Sequence, residues 1–304
     1  MTETDAAGTA GPAEKGRIAV IAGGGALPVA VVRTLLARGL DPVVAVVAGE
    51  ADDGDFAAAE RFSVSVEDLG PLVARLRAAG VGRVVMAGHI LRRPRLFSIR
   101  WSLRVLASLP RAVAGLMSGD DALLRAVIGV MESNGIQVVG AHEIVPDLLA
   151  PEGVLTRAVP SASDRRDIEA GAAAARVIGR LDIGQAAIAI GGRAIALEGI
   201  EGTDGLLART AQMRLGEGQA RGRLAGRKGG VLVKCCKPRQ DRRADLPAIG
   251  PDTVAGARAA GLAGIALDAG ASFILDYART VALADEAGLF IVGLKAGSEP
   301  EAGR

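Results

Sequence analysis

Arg17-Ile18-Ala19-Val20-Ile21-Ala22-Gly23-Gly24-Gly25-Ala26-Leu27-Pro28 is the stretch on which the fold class turns. A short apolar run ends in three glycines, and apolar residues at helical spacing follow over 27–40, which reads as strand, tight turn and helix. A second apolar run at 42–48, a helical pattern at 66–79 and a third run at 83–87 continue the alternation. A helix at 121–132 and a strand at 136–139 complete the first half. Strands alternating with helices predict a parallel sheet with right-handed crossovers.

The pattern restarts with Ser163-Asp164 as the expected cap of a helix running to Leu181. Strands are expected at 187–190, 194–198, 231–235, 264–267 and 290–292, with helices at 204–213 and 254–260. The fold class is therefore α/β, in two α/β domains: an N-terminal Rossmann-like parallel sheet and a C-terminal mixed α/β domain, with the ligand crevice between them. The expected division is a disordered tail at 1–15, the first domain at 16–150, a linker at 151–163, the catalytic domain at 164–297 and a tail at 298–304.

Composition narrows the function classes. The 304 residues are 50% hydrophobic and only 2% aromatic, with a net charge of +2, so neither a basic footprint nor stacking aromatics suggests a nucleic-acid partner. The cysteines, Cys235 and Cys236, are adjacent; there is no disulfide framework and no thiolate zinc spacing to read. The N-terminal residues lack the apolar core of a secretory signal, and no apolar run is long enough to span a bilayer. A cytoplasmic protein is the expectation.

Several segments carry chemistry. Gly23, Gly24 and Gly25 stand between strand and helix, where backbone N–H groups can receive a phosphate, although neither dinucleotide nor P-loop spacing is complete; a plain turn is the equal alternative. The densest polar run is Lys234-Cys235-Cys236-Lys237-Pro238-Arg239-Gln240-Asp241-Arg242-Arg243-Ala244-Asp245. Placed after a strand of an open α/β sheet, its cations suit diphosphate oxygens, and Asp241 with Asp245 suits a divalent metal; the alternative is a solvated charged loop. Glu201 and Asp204, in Glu201-Gly202-Thr203-Asp204, either complete that metal site or cap a helix. Asp120 and Asp121 again suit a cap, a metal or a ribose. His89 and His142 each follow a strand. Between Ile90 and Gly119, six arginines interleave with Phe97, Trp101 and leucines, which suits either a segment resting on anionic lipid or helices packed across the domain junction.

Taken in order, AGGGALP at 22–28, GHILRRP at 88–94, GDDALLRAV at 119–127, GAHEIVPDLLA at 140–150, Asp182-Ile183-Gly184-Gln185, Glu201-Gly202-Thr203-Asp204 and the KCCKPRQDRRADLPAIGPDT run at 234–253 make the chain resemble the UDP-2,3-diacylglucosamine pyrophosphatases of Gram-negative lipid A synthesis. The resemblance implies hydrolysis of UDP-2,3-diacylglucosamine to 2,3-diacylglucosamine 1-phosphate (lipid X) and UMP, with water attacking the phosphorus on the sugar side. It implies Mg²⁺, with Mn²⁺ as the alternative, held by Asp241, Asp245, Glu201 and Asp204. Asp241, Asp245, Lys234 and Lys237 are the catalytic candidates. Gly23, Gly24, Gly25, His89, Asp120, Asp121, Gln185, Thr203, Gln240 and Arg243 are the substrate-binding ones. Peripheral contact with the inner membrane and a homodimer are open options. The rival readings are a nucleotide or lipid carrier and a nucleotide-sugar enzyme with a Rossmann-bound dinucleotide.

Overall fold

The computed structural model describes residues 16–90, 92, 120–215, 229–238 and 240–295. Expectations that fall on the two tails, on the arginine-rich segment 93–118, on Gly119, on Arg239 or on the side chains of Asp120 and Asp121 lie outside the described residues.

The first half is a five-stranded sheet. Strands β1 (Arg17–Ala22), β2 (Val43–Val47), β3 (Glu60–Val64), β4 (Val81–Ala87) and β5 (Gln137–Val139) lie in the order β3-β2-β1-β4-β5, and every pairing is parallel. Its inner strands read as unbroken apolar runs because helices cover both faces. Ile18, Val20 and Ala22 of β1 pack with Val31, Val32 and Leu35 of α1 (Ala26–Ala37). Ala19 and Ile21 pack on the other face with Leu72, Val73 and Leu76 of α2 (Leu69–Ala78) and Met131 of α3 (Asp120–Ser133). A one-turn helix, α4 (Ala141–Ile144), follows β5. The polar edge strand β3 was not anticipated, since a strand with only Val64 fully buried shows no apolar run.

The second half is a six-stranded mixed sheet in the order β6-β13-β11-β9-β7-β8. In chain order it comprises β6 (Gly153–Val154), α5 (Ala162–Arg180), β7 (Ala186–Ala189), β8 (Ala194–Leu197), α6 (Gly202–Leu215), β9 (Val231–Lys234), β10 (Ala248–Ile249), α7 (Pro251–Ala259), β11 (Gly264–Asp268), β12 (Phe273–Ile274), α8 (Tyr277–Ala287) and β13 (Phe290–Leu294). Strands β9, β11 and β13 run parallel, whereas β7 is antiparallel to both β8 and β9, and β6 to β13. Ile188, Leu232 and Ile265, on three neighbouring strands, are fully buried, and each such side chain contributes about 1.5–3 kcal/mol.

Three details differ from the sequence expectations. The cap of α5 is Ser161 rather than Ser163: Ser161 Oγ accepts the Asp164 N–H, while Asp164 Oδ2 accepts the Ser161 N–H at 2.9 Å. The segment 151–163 supplies β6 to the second sheet, and Thr156 Oγ1 accepts the Ile291 N–H at 2.9 Å. Helix α8 was not foreseen, because its buried face is marked by the small residues Thr280 and Ala284 rather than by large apolar ones.

The halves share a seam. β10 and β12 pair as a small separate sheet, and Leu246 and Phe273 beside it are buried among Val139, Ala141, Ile144 and Val145 of the first half. Among the described residues, no helix is long and apolar enough to cross a membrane.

Candidate active site

Several strand termini of the second sheet meet at one edge. Lys234 ends β9, Asp268 ends the parallel β11, and Glu198 follows β8; Gln185 precedes the antiparallel β7, whose Ala186 lies opposite Lys234. An open α/β sheet binds ligands at such an edge.

Lys234 is buried, and its Nζ donates to the Ala248 carbonyl at 2.9 Å. Burial pulls its pKa below the usual lysine value, while the charges of Glu198, Asp245 and Asp204, in that order, push it back up. Glu198 is also buried: its Oε2 accepts the Gln185 N–H at 2.7 Å and its Oε1 accepts the Thr203 hydroxyl at 2.6 Å. One carboxylate thus ties the connection before β7 to the start of α6, next to a buried ammonium. The side-chain Oε1 of Gln185 is buried with no hydrogen-bond partner in the structure, leaving an acceptor aimed at nothing in this chain.

The loop after β9 folds back on itself. Gln240 Oε1 accepts the Lys237 N–H at 3.1 Å, and its Nε2 donates to Asp245 Oδ2. Lys237 Nζ pairs with Asp182 Oδ1 at 2.6 Å, and Asp268 Oδ2 accepts the Cys236 N–H at 2.9 Å. Asp241 turns away from this group. Its carboxylate is gripped by the Arg243 guanidinium at 3.0 and 2.8 Å, which holds it below the usual carboxylate range, and Arg243 reaches Glu132 of α3 at 2.7 Å.

These placements bear on the expected metal set. Glu201 pairs with Arg209 at 2.6 Å and Asp241 with Arg243 at 2.8 Å, while Asp245 and Asp204 each act on the charge of Lys234. Among the described residues, no group of three or more His, Cys, Asp or Glu side chains could hold a metal ion. A Mg²⁺ shell requires about six oxygens. The four carboxylates as arranged do not fit it, because arginines hold Asp241 and Glu201, and the charges of Asp245 and Asp204 act on the buried ammonium of Lys234.

The glycine turn is also built differently from a phosphate cradle. The Gly23 N–H donates to Ala87 O and the Gly24 N–H to His89 O, both at 2.8 Å, so two of the three amides are already used by the backbone. A Cβ on Gly23 would stand 2.5 Å from His89 O, which explains that glycine by close approach of the β1 and β4 ends. Gly25, at φ +92°, caps α1 and borders a cleft of about 630 Å³ shared with Glu50, Asp52, Asp55, Leu275 and Asp276. Arg33 lines the same cleft, so four carboxylates face one arginine there. His89 packs against Gly24, and His142 lies beside Gly140, with its Nδ1 buried and without a partner.

The structure therefore gathers Lys234, Lys237, Gln185, Thr203, Asp204, Gln240 and Asp245, and leaves Asp241 with Arg243, Glu201, the glycine turn and His89 apart. Sequence reading missed Glu198 and Asp268 as members, and singled out Asp182 only within the 182–185 motif. The available signal was position: each is an acid next to the end of a buried strand or helix.

Fold and site together define a two-domain α/β protein, half Rossmann-like and half mixed sheet, with a buried lysine among carboxylates at one edge of the second sheet. The chain belongs to the LpxI family: the LpxI N-terminal domain matches residues 17–148 and the LpxI C-terminal domain matches residues 151–292. It is 38% identical over 287 residues, 93% of this chain and 99% of the relative, to the UDP-2,3-diacylglucosamine pyrophosphatase LpxI of Caulobacter vibrioides. Among solved structures, Thermus thermophilus UDP-glucose 4-epimerase in complex with NAD aligns at 15% identity and TM-score 0.32, over 92% of this chain and 86% of that one. The Bordetella bronchiseptica enzyme WbmG in complex with NAD and UDP aligns at 15% and 0.28, over 40% and 35%. At such scores neither likeness bears on fold or chemistry.

Proposed function

We propose that this chain hydrolyses the diphosphate of UDP-2,3-diacylglucosamine, releasing UMP and lipid X in lipid A biosynthesis. What carries the reading is 38% identity, across nearly the whole of both chains, to a relative named for acting on that substrate. The lysine-centred site supports it. Lys234 and Lys237 offset charge on the phosphoryl oxygens, and Gln185 and Thr203 border the same space. In this reading Asp245, which accepts a hydrogen bond from Gln240, orients the water or takes its proton. Water attacks phosphorus on the sugar side, the bridging P–O bond breaks and UMP departs.

Metal dependence, with Mg²⁺ or Mn²⁺, belongs to the proposal as a condition to be tested. A cytoplasmic location in a Gram-negative cell, peripheral membrane contact and a homodimer belong to it as well.

The test is UMP release from UDP-2,3-diacylglucosamine by the purified protein with Mg²⁺, Mn²⁺ or EDTA, beside Asp245→Ala and Asp241→Ala. Turnover that collapses in Asp245→Ala is expected. Tight lipid binding without turnover under any metal condition would favour a carrier instead.

A further inference from the structure

Outside the site, the second half carries an apolar face of unusual exposure. Ile200 is 96% exposed, Leu181 65% and Ile183 55%, with Val177 and Leu197 also exposed. They form one face rather than scattered points. Val177 and Leu181 are four apart at the end of α5, and Val177 and Leu197 line the same groove between α5 and β8. The connections carrying Ile183 and Ile200 run side by side, since the Gln185 N–H donates to Glu198 and the Glu198 N–H to Ala186 O at 2.9 Å. Large exposed apolar groupings mark a binding surface.

Exposed arginines flank this face. Arg180, two residues beyond Ile178 of the groove, and Arg193, one before Ala194, are exposed, and Arg209, paired with Glu201, forms part of the groove wall. Of the carboxylates in the same connections, Asp182 is met by Lys237 and Glu201 by Arg209, and Asp204 is exposed. Apolar side chains fringed by arginines suit the boundary of an anionic bilayer. A second copy docking by two-fold symmetry would bring the same arginines together, which disfavours it.

We propose that this face seats the protein on an anionic lipid surface. Ile183 lies two residues before Gln185 and Ile200 two after Glu198, so the seated side chains flank the lysine-centred site and an acylated substrate reaches it without crossing water. The purpose of the contact rests on the hydrolase reading; the contact itself does not.

The experiment is flotation of the full-length protein with substrate-free vesicles of phosphatidylethanolamine containing a minority of phosphatidylglycerol, beside phosphatidylcholine vesicles. Two variants are compared: Leu181→Ser/Ile183→Ser/Ile200→Ser and Arg180→Glu/Arg193→Glu. The wild type is expected to float with the anionic vesicles, and each variant to need roughly tenfold more lipid for half-binding. Hydrolysis of detergent-dispersed substrate should be unchanged in both. Variants that float like the wild type, a wild type that ignores anionic vesicles, or a wild-type dimer that the serine variant turns into monomer would each overturn the proposal. Failure of the hydrolase reading would show separately, as absent UMP release from every version with flotation unaffected.

Discussion

Replacing Glu198 separates its charge from its hydrogen bonds. In Glu198→Ala, the Gln185 N–H and the Thr203 hydroxyl lose a shared acceptor at 2.7 and 2.6 Å, and the buried Lys234 loses the foremost of its three counter-charges. Two buried hydrogen bonds to a charged acceptor, at about 1.5–3 kcal/mol each, are lost with it, and the expected loss is about 3–5 kcal/mol. In Glu198→Gln the amide oxygen still accepts the Gln185 N–H, and the amide N–H₂ donates to Thr203 Oγ1, so shape and pairing survive while the charge goes. The expected loss is then about 1–2 kcal/mol, near one charge-assisted hydrogen bond. Urea unfolding at neutral pH, with midpoint and slope compared across the three proteins, reads both values. The network as described would be refuted if both variants unfolded within about 0.5 kcal/mol of the wild type, the range of an ordinary surface substitution. Equal losses in both would assign the whole effect to charge and none to the two hydrogen bonds.

Acid should weaken the protein partly through Asp241. Because Arg243 holds its folded pKa below the unfolded value, its contribution is complete above about pH 4 and disappears as pH falls through the folded pKa. The Tm gap between wild type and Asp241→Asn should therefore shrink as the buffer is taken below pH 4. The two thiols should differ in reactivity: Cys235 is buried with its pKa pushed up to about 12, so native protein at pH 8 should react with maleimide at Cys236 alone, and a second thiol should appear only on unfolding. Gly23→Ala should cost about 2–3 kcal/mol, since its Cβ meets backbone at 2.5 Å; Gly39→Ala, at φ +72° with nothing within 4 Å, should cost about 1 kcal/mol, measured by thermal melts of both.

Strands with continuous burial were legible in the sequence. RIAVIA, VVAVV and VLVK announce themselves because both faces of each are covered, and the helices between them fixed the parallel first sheet. What escaped was structure whose burial is partial or small: β3 on an edge, α8 with Thr280 and Ala284 inward, and β6 inside a proline-containing stretch. At the site, the run from Lys234 to Asp245 was legible as a cluster of charges after a strand. Which charges face each other was not, because spacing does not reveal that Arg243 and Arg209 draw Asp241 and Glu201 away. Glu198 looked like the last residue of an ordinary strand, and only the antiparallel pairing of β7 with β8 brings it beside Lys234 and Gln185.

The seam described above bears on how the molecule can be dissected. Family boundaries near residue 150 invite expression of each half alone, yet Leu246 and Phe273 complete the interior of the first half from far along the chain. A fragment ending at 150 would present Val139, Ala141, Ile144 and Val145 to water and would be prone to aggregate. The second half would carry the matching apolar surface. Gene truncation is thus a poor route to isolated halves; supplying both as separate polypeptides in one cell, so that each covers the other's exposed interior, is the arrangement under which they should remain soluble.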